Sequence, residues 1–224
     1  MTVKRKVSTI EPSSPLVPRK LKYSSKKTTE QNKFAKFRQT TFDKYKDTDN
    51  TNIIGPDGCQ VFFSDIGVSL ESIVPILLAW KMNCARMGYI TIEEWSKFMK
   101  DIDSVDKLKT TLLTLQKQVE DDEDLFKKLY IYAFLYAKSQ DQKSIDVEVA
   151  VALWQVILAD KYPIIKSFMQ FVEEKKPIKV INKDQWASML DLCKTVSEDL
   201  SGYDSVSSWP VLFDHFAEWK KEGQ

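Results

Sequence analysis

Ile90-Thr91-Ile92-Glu93-Glu94, Ile145-Asp146 and Ile181-Asn182-Lys183-Asp184-Gln185 share one pattern: an isoleucine directly before a residue that caps helix N-termini. In the first and third stretches the cap is followed three residues later by Glu or Gln. This spacing fits a capping box, in which the cap side chain accepts from the N3 amide and the N3 side chain reaches back. Each stretch therefore marks the start of a helix. Working outward, the apolar spacing is helical from Phe34 onward. Phe34, Phe37, Phe42 and Tyr45 fall on one broad face; Leu125, Leu129, Tyr132, Phe134 and Tyr136 crowd a later helix; Val149, Leu153, Val156 and Ile157 mark the next. Ser144 or Asp146 is expected to cap a third helix, and Ser207 or Ser208 a fourth with Pro210 early in it. Strand-like alternation over more than three residues is hard to find. Six Gly in 224 residues also argue against a turn-rich β sandwich. The expected class is all-α.

An isoleucine leading into a capped helix is how an EF-hand leaves its loop. With Ile90 at loop position eight, Gly88 falls at six and Glu94 at twelve, as calcium requires. Positions one, three and five are then Asn83, Ala85 and Met87, and the last two offer no side-chain oxygen to a hard cation. Asp47-Thr48-Asp49 supplies good early ligands, but Asn52 and Gly58 stand at six and twelve. The loops ending at Ile145 and Ile181 lack the ligands as well. The expectation is degenerate EF-hand-like helix-loop-helix units with structural loops and no metal.

The even balance of 33 basic and 32 acidic residues hides an asymmetry. Residues 1–33 hold nine basic groups against Glu11 and Glu30, a net +7, together with Pro12, Pro15 and Pro18 and no apolar periodicity. Such a segment cannot bury enough surface to offset its ordering entropy, so 1–33 is expected to be a disordered basic tail and 34–221 a helical domain. Val3-Lys4-Arg5-Lys6 and the cluster from Arg19 to Lys27 resemble a two-part nuclear-import signal, which suggests the nucleus with a share in the cytoplasm. A merely solubilising tail fits equally well. A nucleic-acid arm has only Tyr23 to stack on bases. Cys59, Cys84 and Cys193 form no C-x-x-C pair, and an odd number cannot close a disulfide framework. With no signal peptide, this suggests a reducing, intracellular setting. The longest apolar run, Ile73 to Trp80, is eight residues including a Pro, far too short to cross a membrane.

Catalytic patterns are missing: there is no Gly-rich phosphate loop, no G-x-S-x-G and no H-E-x-x-H. The single histidine, His215, follows Asp214 directly, so on a helix the two side chains point about 100° apart and cannot act as base and orienter. Glu93 and Glu94 are paired carboxylates only in the sense that helix N-termini favour acids. The cysteines sit in apolar helical settings without basic neighbours that would activate them. No catalytic residue, metal ligand or cofactor site is expected.

The C-terminal stretch carries a resemblance. Asn182-Lys183-Asp184-Gln185-Trp186, Asp199-Leu200-Ser201-Gly202-Tyr203-Asp204 and Ser208-Trp209-Pro210-Val211-Leu212-Phe213-Asp214 stand together with Leu78-Ala79-Trp80-Lys81 and Gln142-Lys143-Ser144-Ile145-Asp146. This set resembles the defective-in-cullin-neddylation family over nearly all of 34–221. The basic tail and the lack of a ubiquitin-associated domain make the chain most similar to the family's short, nuclear branch. The resemblance implies a non-catalytic scaffold-type co-ligase that promotes conjugation of a ubiquitin-like modifier to cullins. It implies a patch for the cullin C-terminal winged-helix region at Asp184, Ser208 and Asp214, with Ser208 standing where the family has Ala. The family's acid-acid-Gly-Ala run is Ser205-Val206-Ser207-Ser208 here, two charges fewer. It also implies a hydrophobic pocket for the N-acetylated Met of the neddylation-conjugating enzyme, built from Cys59, Ile76, Leu78, Met82 and Ile90, with Tyr136, Leu153 and Val156 as a second wall. The cullin's RING subunit would supply further contacts. On periodicity alone each of these apolar residues is plain core.

The residues speak independently for an acidic face. From Asp184 onward eight acidic residues stand against Lys194, Lys220 and Lys221, a net −5, which would steer a basic partner. A solvated helical surface has the same composition. The rival functions are a calcium sensor, a nuclear EF-hand-like adaptor that does not act on cullins, and a nucleic-acid-associated protein. A calcium titration tests the first. Retention of duplex DNA that is lost on removing residues 1–33 tests the last.

Overall fold

The computed structural model describes residue 1 and residues 21–223, with side chains from residue 30. The Val3–Lys6 run, Arg19 and Lys20 lie outside the described residues. Among the described residues ten α-helices carry almost all the regular structure, so the all-α reading holds. The strands among these residues are four segments of two or three residues.

The helices fall into two helix-loop-helix pairs. In the first, α1 (Leu21–Tyr45) leads through β1 (Ile53–Ile54) to α2 (Pro56–Asp65), and α3 (Val74–Met82) through β2 (Ile90–Thr91) to α4 (Ile92–Phe98). In the second, α6 (Glu123–Ala137), β3 (Ser144–Asp146) and α7 (Val147–Ile157) join α8 (Ile164–Lys175), β4 (Val180–Asn182) and α9 (Lys183–Thr195). α5 (Val105–Asp121) links the pairs, and α10 (Val211–Glu222) packs on α8. Each pair is closed by an antiparallel ladder, centred on Ile54 opposite Ile90 and on Ile145 opposite Ile181. All four isoleucines are buried. The repeat of an isoleucine before a helix start is thus the pairing register of EF-hand-like units. The fourth copy, Ile54, precedes a helix capped by Gly55 with Pro56 in its first turn. A search for polar caps therefore passes it over.

Local expectations met mixed outcomes. Both capping boxes form, Thr91 with Glu94 and Asn182 with Gln185. Asp146 occupies the cap position of α7 but makes no side-chain capping bond. Neither Ser207 nor Ser208 caps α10, whose N-cap is Pro210. Capping by Ser208 would require Trp209 to be helical immediately before a proline, and the proline ring disfavours that conformation. α1 begins at Leu21 and so runs through the residue-33 boundary expected for the tail. Residues 21–33 contain no Pro or Gly and hold four Lys, Glu30 and Gln31, which prolong a helix at little cost.

Two hydrophobic cores result. The first gathers Phe42, Phe62 and Trp95, with Phe62 edge-on to Trp95 at 5.4 Å and the Trp95 indole N–H donating to the Arg38 carbonyl at 3.0 Å. The second stacks Tyr130, Trp186 and Trp154, with centroid separations of 4.6 and 5.5 Å along the column. α3 lies between them: Leu78, Ala79 and Met82 enter the first core, Ile76 and Leu77 the second. A helix apolar all round is what such a bridging position needs.

Candidate functional site

In an EF-hand the loop between the helices is where a metal sits. Glu94, at loop position twelve, spends both carboxylate oxygens on backbone amides: Oε2 accepts from Thr91 N at 2.7 Å and Oε1 from Ala85 N at 3.0 Å. It closes the loop by the bonds a bound ion would otherwise organise. Gly88 keeps the positive φ (78°) of position six. In the first loop, Asp47 Oδ1 accepts from Asp49 N at 2.9 Å. At Gly58, its position twelve, a Cβ would lie 2.1 Å from the Tyr45 carbonyl oxygen, so no ligating side chain fits. Among the described residues no group of three His, Cys, Asp or Glu is placed to hold a metal.

The three cysteines are buried. Burial pushes the Cys59 thiol up to about 11 and that of Cys193 up to about 12. Cys84 is raised further, by burial first and the nearby Glu94 charge second. Thiols held protonated in this way are poor nucleophiles. His215 is exposed on α10, while its neighbour Asp214 is engaged with Tyr203.

The residues expected to contact a cullin sit on two helix starts. The Asn182–Gln185 capping box fixes the first turn of α9 and leaves Asp184 exposed on it. Asp214 lies half-buried on the first turn of α10. Both positions favour a carboxylate, since helix N-termini carry partial positive charge. Trp186 and Phe213, close by in sequence, belong to the same core, so both carboxylates are mounted on one rigid base. Neither forms an ion pair among the described residues. Ser208 is exposed in the loop between the helices. Lys194, one of the three cations on this side, is drawn 2.9 Å from Glu123 of α6.

That loop is ordered by its own bonds. Asp204 Oδ1 accepts from Val206 N and its Oδ2 from Ser207 Oγ, while Trp209 N donates to the Ser207 carbonyl. Tyr203 stacks on Trp209 and donates its hydroxyl to Asp214 Oδ1 at 2.5 Å. Helical spacing does not predict this contact between Tyr203 and Asp214. The signal was present, as two aromatics bracketing an exposed polar run.

The residues expected to form the conjugating-enzyme pocket are divided between the cores. Cys59, Leu78, Met82 and Ile90 are buried in the first core and Tyr136 packs against it; Ile76 and Leu153 are buried in the second, with Val156 against it. The division follows from the bridging position of α3 between the cores. A tighter local group joins the second loop to α6: Cys59 Sγ reaches the Gly88 carbonyl (3.5 Å), Gly88 N donates to the Tyr136 hydroxyl (3.2 Å), and the Tyr132 hydroxyl donates to the Cys84 carbonyl (2.8 Å). Tyr132 and Tyr136, one helical turn apart, stack at 5.4 Å. Asp184 and Ser208 are thus exposed and Asp214 half-buried, whereas the expected pocket residues are built into, or packed against, the two cores.

Comparison with known proteins shows which family the chain resembles. The family described as "Cullin binding" matches residues 107–219, from α5 to α10, including Asp184, Ser208 and Asp214. DCN1-like protein 4 of Homo sapiens is 42% identical over 185 residues, covering 82% of this chain and 62% of that protein. DCN1-like protein 5 of Homo sapiens is 40% identical over 174 residues, covering 77% and 73%. DCN1-like protein 4 of Drosophila melanogaster is 39% identical over 179 residues, covering 80% and 72%. The matched region thus spans less than two thirds of the human and Danio rerio DCN1-like protein 4. On these grounds the chain belongs to the cullin-binding, DCN1-like (defective-in-cullin-neddylation) family.

Proposed function

We propose that the chain is a non-catalytic, scaffold-type co-ligase for cullin neddylation. The observation that carries this reading is the pair of first-turn carboxylates, Asp184 and Asp214, mounted on one core within the segment that matches the cullin-binding family. They would take basic side chains of the cullin's C-terminal winged-helix region, with Ser208 between the helices at the contact. The apolar elements around α3, the second loop and α6 would receive the N-acetylated Met of the neddylation-conjugating enzyme, and the RING subunit would hold that enzyme from another side. A charged conjugating enzyme tethered at two points, with the acceptor lysine held by the patch, reaches the transition state with less entropy left to lose. No residue of this chain need touch the thioester. The basic N-terminal segment suits a nuclear location.

The test is calorimetric titration of the full chain with a cullin winged-helix domain, then with acetylated and unacetylated peptides from the conjugating enzyme's N-terminus. Asp214→Lys and Asp184→Lys are each expected to cost about 2–5 kcal/mol in cullin binding, as when one partner of a desolvated charge pair is removed. If both reversals leave the affinity unchanged, the patch assignment is wrong. Peptide binding that does not require acetylation would remove the second half of the proposal.

A further inference from the structure

Asp214 is held by more than its helix. Its Oδ1 accepts from the Tyr203 hydroxyl, and Tyr203 is itself fixed. The Tyr203 ring stacks on Trp209 at 6.3 Å with an interplanar angle of 16°, and Trp209 in turn meets the buried Phe213 at 6.1 Å. Tyr203 N donates to the Leu200 carbonyl at 3.0 Å. The turn just before it is tight: Leu200 and Gly202 have φ of 66° and 88°, and a Cβ at Gly202 would lie 2.5 Å from the Thr195 carbonyl oxygen. A chain of rigid contacts therefore runs from the core through Trp209 and Tyr203 to one carboxylate oxygen.

A surface carboxylate is ordinarily free to turn, and a partner that binds it must freeze that motion. Where folding has already frozen it, more of the interaction appears as affinity. We infer that Tyr203 is a positioning residue for partner binding: its hydroxyl fixes the Asp214 carboxylate so that Oδ2 is presented, already oriented, to a cationic side chain of the partner. This rests on the reading of the same face as the cullin contact. Burial, and secondarily the hydrogen bond to Asp214, hold the Tyr203 phenol above its ordinary titration range, so it stays a donor at neutral pH.

The experiment is a double-mutant cycle on the full chain, titrated with a cullin winged-helix domain. Tyr203→Phe keeps the ring stacked on Trp209 and removes only the hydroxyl, and a circular dichroism melt checks that the fold is kept. Tyr203→Phe is expected to weaken binding about three- to tenfold, the net worth of one ordinary hydrogen bond. In an Asp214→Asn background the same change should have no effect. A merely structural role would instead make the two losses multiply, and that result overturns the inference. So does unchanged binding by Tyr203→Phe when Asp214→Asn is weakened, an outcome that leaves the cullin reading intact. If Asp214→Asn itself binds like the wild type, the cullin reading at Asp214 fails and the inference falls with it.

Discussion

Replacing Tyr130 by Phe would remove a single oxygen from the centre of the second core. That hydroxyl donates to the Trp186 carbonyl at 2.7 Å and accepts from the Trp154 indole N–H at 3.0 Å. The Trp186 indole N–H donates back to the Tyr130 carbonyl at 2.9 Å, and all three residues are fully buried. Ring stacking survives the substitution, so the loss is confined to the two bonds of the hydroxyl. The Trp186 carbonyl lies inside α9 and keeps its helical partner, so there the cost is one net hydrogen bond, about 1 kcal/mol. The fully buried Trp154 N–H is left with no partner, which costs about 1–3 kcal/mol. The expected destabilisation is therefore about 2–4 kcal/mol, read as a lower urea midpoint at unchanged m-value by far-UV circular dichroism. A cycle with Trp154→Phe separates orphaning from simple loss of packing. The double variant should cost less than the sum of the singles by about 1–2 kcal/mol, because no unpaired donor remains. A Tyr130→Phe effect below about 0.5 kcal/mol, or strict additivity in the cycle, would refute the claim that this network is closed.

Further outcomes are expected elsewhere. Glu94→Ala removes the acceptor for two loop amides and should cost about 1–2 kcal/mol in denaturant unfolding, while millimolar calcium leaves the wild-type melting curve where it was; a calcium-induced rise in the melting temperature would contradict the closed-loop reading. Gly58→Ala forces a Cβ onto the Tyr45 carbonyl oxygen and should be among the most destabilising single changes in the first helix pair; a melting temperature equal to wild type would show that α1 and α2 can separate freely there. Stability should fall in alkali. The Cys59 and Cys193 thiols titrate near 11 and 12 when folded, whereas an unfolded thiol titrates near about 8.5. The unfolded chain therefore sheds protons first, and the contribution present below about pH 8.5 is lost as pH rises through the folded values. Urea midpoints at pH 8 and pH 10.5 should differ less in a Cys59→Ala, Cys193→Ala variant than in the wild type, and equal differences would refute the assignment.

Much of the fold is legible because it is written in short-range chemistry. The boxes at Thr91 and Asn182 need only residues three apart, and both form. The isoleucines at positions 90, 145 and 181 mark ladder positions because an EF-hand-like loop sets a fixed offset between its pairing residue and the next helix. Ile54 escaped because its helix starts with Gly55 and Pro56, and the expected cap at Ser207 or Ser208 failed because Pro210 dictates the conformation of Trp209. The candidate site is less legible. The acidic positions could be named from the resemblance, but the phenol that orients Asp214 acts across a loop, and no periodicity encodes that contact.

The sequence by itself determined the helical class, the capping boxes at Thr91 and Asn182, and the acidic balance of the C-terminal segment. Each depends on residue type and on spacings of a few positions. Tertiary structure alone decided that α3 would serve two cores, that the expected pocket residues would part between them, and that Tyr203 would come to rest on Asp214. The physical reason is the range of the interactions. Capping, helical periodicity and ligand spacing act within one or two turns, whereas the side a buried helix shows to each neighbour, and the oxygen a phenol finds, depend on packing between elements far apart in the chain.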